Sequence, residues 1–184
     1  VSKINIENNQ VTGVTLQNGQ ILFADKVVSN ADSAWTYKNL IEPQHRQHWT
    51  NRKIDHGSYS MSLFVWYFGT NQPYPDVPHH MMLLGDRYQG LLTDIFQRHI
   101  LADDFSLYLH RPTATDPSLA PPGCDTFYVL SPVPHLDSGT DWAAQTESYR
   151  LKIQRYLEKT VLPGLGEHLT ESFCMTPQDF KDRL

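Results

Sequence analysis

The sequence predicts an α+β fold in which a mostly antiparallel sheet is flanked by helices. Three observations carry this. Apolar residues alternate over 58–68. Two strand-like segments, 105–109 and 126–130, flank a proline-rich excursion. A helical stripe runs from about 141 to 160, with Asp141 placed to cap it and Pro163-Gly164 to end it. Strands dominate the middle, and helices sit between and after them.

Residues 1–29 read as a β-meander. Ile4 and Ile6 share one face, and Val14 and Leu16 follow a polar turn at 7–10. Asn18-Gly19 marks a hairpin, because both residues tolerate positive φ. Ile21–Phe23 follows, and Val27-Val28 then reads as a returning strand. Residues 31–40 suggest a short helix capped by Asn30 or Asp32, and 44–52 a polar helix whose Trp49 packs on Trp35. In 58–68, Tyr59, Met61, Leu63, Val65 and Tyr67 share one face, while Phe64, Trp66 and Phe68 share the other. The second half of that strand is apolar on both sides and needs apolar cover on each, from helices, a partner sheet or a ligand. A strand is expected at 80–84. A helix is expected at 86–98, with Leu91, Leu92, Ile95 and Phe96 as its stripe and Asp86 as its cap. Pro112, Pro117, Pro121 and Pro122 exclude a helix or a central strand from the excursion, and its strand-like flanks favour an ordered, functional loop. Thr176-Pro177-Gln178-Asp179 opens a last helix.

The 184 residues suffice for one domain, or one domain and part of another. A net charge of −5 with no basic run gives no reason to expect nucleic acid as a partner. Cys124 and Cys174, without CxxC spacing, read as reduced thiols of a cytosolic protein. No apolar run approaches the roughly 20 residues of a membrane-spanning helix. His79-His80 draws attention, but neighbours on a strand point to opposite faces, so both could ligate one metal only in an irregular loop; with no HExxH or Cys/His cluster, no metal site is expected. Asp103-Asp104 reads as a solvated pair. His110, Asp116 and His135, around the excursion, are better placed to shape a site, with no proton-transfer role assigned. No Gly-x-Ser-x-Gly elbow, P-loop or GxGxxG is found.

The stretch DDFSLYLHRPTATDPSLAPPGCDTFYVLSPVPHL resembles the signature of bacterial carotenoid (phytoene) desaturases. The resemblance recurs in VVSNAD (27–32), YSMSLFVWYFG (59–69), His79-His80, VLPGL (161–165) and TPQDFKDRL (176–184). It implies an FAD-dependent oxidoreductase that desaturates phytoene toward lycopene by hydride transfer to FAD. Residues 1–32 are then the C-terminal-side piece of the FAD-binding domain, and 33–184 an incomplete substrate-binding domain. The glycine fingerprint is expected upstream of Val1 and a second flavin-contacting segment beyond Leu184. The chain is thus expected to be an internal piece, inactive and unable to hold FAD without the remainder of its parent. The resemblance places Val1 by the adenine and Ser29, Asn30 and Ala31 at the strand end facing the cofactor. A linear polyene has no polar handle, so its binding must rest on buried apolar area at about 25 cal/mol per Å². Tyr59, Met61, Leu63, Phe64, Trp66, Phe105, Tyr108, His110, Phe127 and Tyr128 are the expected substrate-contacting residues. A substrate that dissolves in a bilayer implies a cytoplasmic protein peripherally associated with the cytoplasmic membrane. The alternatives are a desaturase or isomerase of another polyene (C30, or partly desaturated C40), an apolar-lipid-binding module without catalysis, and, last, a hydrolase using His110 and Asp116.

Overall fold

The computed structural model describes residues 1–183. It divides into two compact units, Val1–Tyr59 and Ser60–Leu184. The first holds an antiparallel meander of β1 (Lys3–Glu7), β2 (Gln10–Thr15) and β3 (Ile21–Phe23). Asn8 and Asn9 take positive φ (49° and 62°) in the two-residue turn between β1 and β2, a conformation asparagine tolerates better than most residues. Gly13 (φ 146°) lies so close to β3 that a Cβ there would meet the Leu22 carbonyl oxygen at 2.1 Å. Asp32 caps the short helix α1 (Ser33–Trp35) by accepting from the Trp35 amide at 2.8 Å, and a π-helical turn, Thr36–Leu40, continues it.

Compactness here extends past residue 32 to Tyr59. Ser29 and Thr36 hydroxyls bond at 2.8 Å, Leu40 is buried, and Lys3 pairs with Glu42 at 2.7 Å. The expected helix at 44–52 is instead a 3₁₀ turn at Pro43–His45 and, after a gap, α2 (Asn51–Asp55), capped by Thr50. Trp49 stacks on Tyr37 (ring centroids 5.2 Å apart) rather than on Trp35. Val27 and Val28 form no strand, because neither sheet pairs with them.

The second unit is built on a five-stranded antiparallel sheet of β4 (Ser62–Thr70), β5 (His80–Leu83), β6 (Leu107–His110), β7 (Asp125–Val133) and β8 (Leu169–Met175), ordered β5-β6-β7-β4-β8. Between β5 and β6 lies α3 (Tyr88–Thr93), extended by a π-helical turn, Asp94–Arg98. Asp86 does not cap it. Buried Asp94 instead receives Arg87 (2.8 Å) and Arg98 (2.9 Å), and His99 ends the turn in the left-handed region. The long helix α4 (Trp142–Thr160) is capped by Asp141 as expected. Gly164 (φ 71°) turns the chain into α5 (Leu165–His168), and α6 (Pro177–Arg183) follows β8. At its start the Thr176 amide and hydroxyl donate to the Asp179 carboxylate at 2.8 and 2.7 Å, and the Asp179 amide donates back to the Thr176 hydroxyl at 3.3 Å, a reciprocal cap that satisfies both amides.

Register sorts the sheet's side chains cleanly. Phe64, Trp66 and Phe68 align with Ser131, Val129 and Phe127, and Leu109 with Val129. All these residues are fully or almost fully buried, as are Tyr149, Ile153 and Leu157 of α4. Phe64 stacks on Trp142 (5.7 Å) and meets Tyr149 edge-on (5.1 Å), and the Tyr149 hydroxyl bonds that of Ser131 at 2.8 Å. This face and α4 form the core.

Candidate functional site

The opposite face of the same sheet carries a different population. Leu63, Val65 and Tyr67 of β4 align with Pro132, Leu130 and Tyr128 of β7; Tyr108 and His110 of β6 align with Leu130 and Tyr128. On the flanks, Phe173 aligns with Tyr67, and His80 and Met82 with His110 and Tyr108. The rings touch across the strands. Tyr67 stacks on Phe173 at 4.7 Å, and Tyr128 lies 5.6 Å from Tyr67, 5.7 Å from Tyr108 and 4.5 Å from His110. Phe173 and Met82, on the edge strands β8 and β5, are 59% and 65% exposed, so this face stays open at both margins. A largely apolar cleft of about 360 Å³ at the β8 end is lined from both faces, by Tyr67, Thr126 and Phe173 of this one and by Phe68 and Phe127 of the core side. Burial and the neighbouring Tyr108 hydroxyl push the Tyr128 phenol up to about 12, so it is uncharged at any physiological pH.

Of the ten residues expected to contact substrate, Leu63, Tyr108, His110 and Tyr128 share this face. Phe64, Trp66, Phe105 and Phe127 lie in the core with α4. Met61 packs on Leu91, Ile95 and Ala102, and Tyr59 belongs to the first unit, its hydroxyl donating to the Ile54 carbonyl at 2.6 Å.

The proline-rich excursion is ordered by two 3₁₀ turns, Pro112–Ala114 and Pro117–Leu119, and is anchored by a buried ion pair. Asp125 accepts from Arg111 Nε at 2.9 Å, the Tyr74 amide at 2.7 Å and the Thr113 hydroxyl at 2.6 Å. Arg111 Nη1 donates to the Val77 carbonyl at 2.7 Å. Sequence reasoning missed this pair; a charged residue heading an alternating strand was the available signal. Asp116 only caps the second turn, bonding Ser118. Asp103 and Asp104 pair with Lys152 (2.6 Å) and Arg87 (3.0 Å), and His135 packs its ring against His99.

Three histidines meet at the β5–β6 edge. His79 Nε2 lies 2.7 Å from His110 Nε2, His79 Nδ1 bonds the Thr115 hydroxyl, and His80 Nδ1 bonds the Tyr108 hydroxyl at 2.6 Å. Burial, then the charges of His79 and His80, hold His110 below the ordinary histidine range. In the first unit, Val1, Ser29, Asn30 and Ala31 line a single cleft of about 260 Å³, together with Ile4, Val14 and Trp35 among others.

Relatives match this sequence along essentially its whole length. A neurosporene-forming phytoene desaturase of Rhodobacter capsulatus is 48% identical over 181 residues, covering 96% of this chain and 34% of its own. A lycopene-forming phytoene desaturase of Pseudescherichia vulneris is 46% identical, covering 100% of this chain and 38% of its own. The chain belongs to the phytoene desaturase family. It spans about a third of the length of these desaturases. More distant members include an all-trans-zeta-carotene desaturase of Myxococcus xanthus at 35% identity. No family model matches the sequence. Among solved structures, an oxidoreductase from Methanosarcina mazei aligns over 95% of this chain and 36% of its own at TM-score 0.60 and 20% identity; it shares the fold.

Proposed function

We propose that the protein containing this chain is an FAD-dependent phytoene desaturase that acts toward lycopene in carotenoid biosynthesis. The observation that carries this reading is identity near one half, over essentially the whole chain, to enzymes named for that reaction. The geometry supplies a physical role. Tyr67, Tyr108, Tyr128, Leu130 and Phe173 make a wide aromatic and aliphatic surface with no buried charge, suited to a hydrocarbon that offers only apolar area. Their cross-strand stacking holds the rings in place, so contact with a long polyene costs little side-chain ordering.

When bound, FAD would accept the hydride removed from the substrate's saturated carbon. Ser29, Asn30 and Ala31 lie in an irregular stretch that bonds to neither sheet, which leaves their backbone amides available, and Val1 and Ile4 give the same cleft an apolar wall. These features suit a nucleotide that needs both amide donors and a flat apolar contact, and they are the residues that would hold it. The role of α4 and Phe64, Trp66 and Phe127 is to keep the sheet rigid. An insoluble substrate is delivered most directly from a bilayer, so the protein is expected at the cytoplasmic membrane surface; sedimentation with phospholipid vesicles measures this.

The deciding experiment expresses the full-length gene in cells that accumulate phytoene and records the absorption spectrum of the extracted pigment. Visible bands of lycopene establish the reaction, and shorter-wavelength bands of neurosporene show an earlier stop. Unchanged phytoene beside a flavin-loaded protein would overturn the substrate assignment.

A further inference from the structure

Side by side in sequence, His79 and His80 would be expected to point to opposite faces of a strand, but His79 is not in one. It occupies the bend immediately before β5, where its carbonyl accepts from the Arg111 amide at 2.9 Å. That irregular backbone lets both rings come to the same place. His80 is the register partner of His110 across β5 and β6, which brings the third ring. Ring centroids lie 4.3 Å (79–80), 4.6 Å (79–110) and 5.2 Å (80–110) apart, and one nitrogen from each residue lies within 4.8 Å of the others.

We propose that His79, His80 and His110 form a three-histidine site for a divalent transition metal of borderline softness, of the Zn²⁺ class. Three features argue for it beyond proximity. First, His79 and His110 present Nε2 to Nε2, an arrangement in which one lone pair faces another unless a single proton or a metal lies between them. Zinc–imidazole bonds of about 2.0–2.1 Å in tetrahedral geometry hold nitrogens about 3.3 Å apart, so the 2.7 Å pair need open only by about half an ångström. Second, His79 and His80 each have Nδ1 tied to a hydroxyl, of Thr115 and Tyr108 respectively, which fixes ring orientation and leaves Nε2 as the nitrogen a metal would take. The hydroxyls take the place that a carboxylate, carbonyl or water occupies beside metal-binding imidazoles. Third, His110 Nδ1 is buried without a partner, an uncompensated polar atom of the kind that marks functional positions. Three protein ligands leave a fourth position for water. The site does not depend on the desaturase reading, and either stands if the other falls.

The test uses untagged full-length protein stripped with EDTA and titrated with Co²⁺, whose ligand-field bands report coordination, followed by Zn²⁺ competition. The expected result is one tight Co²⁺ per chain, displaced by one equivalent of Zn²⁺. His79→Gln, His80→Gln and His110→Gln should each weaken binding by at least the roughly 10- to 100-fold that loss of an outer-shell partner costs, and Thr115→Val by about that factor. His168→Gln should change nothing, since that ring bonds Asn71 at the far end of β4. His80 is exposed, so its variant tests the site without risk to the fold, which melting in EDTA confirms. Absence of a stoichiometric Co²⁺ band, or a band unaltered by His80→Gln and His79→Gln, overturns the proposal.

Discussion

Replacing Asp125 by asparagine should release the proline-rich excursion from the sheet and destabilise the protein by about 3–5 kcal/mol, the usual cost of leaving one member of a buried ion pair alone. Asp125 and Arg111 are both buried, with Nε and Oδ2 2.9 Å apart. Their attraction is of order 4 kcal/mol at the effective dielectric suited to protein sites. Asparagine keeps one acceptor oxygen for three donors and turns its amide hydrogens toward at least one of them. Arg111 then keeps its carbonyl contact to Val77 but not its counter-charge. The assay is urea unfolding of full-length protein, with limited proteolysis at 112–123 as the local readout. Arg111→Met should cost a similar amount. The double variant Arg111→Met/Asp125→Leu should recover much of the loss, because two apolar side chains leave no charge buried alone. An Asp125→Asn protein within about 1 kcal/mol of wild type, or a double variant worse than both singles, would refute the reasoning.

Cys174 faces the α4 side of β8, and burial pushes its thiol up to about 11. Its alkylation rate should therefore climb about tenfold per pH unit from pH 7 to 10; a plateau near pH 8.5, read by mass spectrometry of iodoacetamide-labelled peptides, would contradict this. Hydrogen bonds from the Thr176 hydroxyl and amide hold the Asp179 carboxyl below the usual range. A lowered folded value means stabilisation that is complete above the unfolded pKa near 3.9 and lost as pH falls through the folded one. Thr176→Ala should cost about 0.5–2 kcal/mol at pH 7 and less at pH 2.5, by urea melts. Gly13→Ala should destabilise by more than about 1 kcal/mol, since a Cβ meets the Leu22 carbonyl at 2.1 Å on an already unfavourable φ; an unchanged melting temperature would contradict that close approach.

Parts of this fold are plain in one dimension and others are not, for identifiable reasons. In β7 every second residue from Asp125 to Val133 is buried, and α4 carries its cap, its stripe and its stop within its own residues. β8 leaves no pattern in the sequence, because Thr170, Glu171 and Ser172 lie at a sheet edge where one side needs no apolar cover, so no alternation survives. Val27-Val28 shows the converse: strand propensity is present, but pairing is a property of the neighbour. The Arg111–Asp125 pair closes over fourteen positions and depends on the excursion's path. That neighbouring residues face opposite ways holds only inside a strand, and His79 stands just outside one, which no local sequence signal marks. Of the ten residues expected in the wall, four, Phe64, Trp66, Phe105 and Phe127, answer to α4 instead. Parity along the strand is legible; which parity faces the helix is set by β7 and β6.

That two-sidedness gives the sharpest test of the wall. Phe64 and Phe173 are both aromatic, both on strands of one sheet, and both stacked on neighbours, yet one is fully buried and the other 59% exposed. If the open face serves the hydrocarbon, a charge at Phe173 should spare the fold and cut turnover of phytoene, because desolvating an ammonium against a polyene has no compensating partner. Phe173→Lys should melt within a few degrees of wild type while pigment yield falls at least tenfold. Phe64→Lys should yield no folded protein at all, since the same charge would sit among Trp142, Tyr149 and Ile153. Wild-type pigment from the Phe173→Lys enzyme would mean that the polyene runs elsewhere, and the exposed aromatics would then need another occupant.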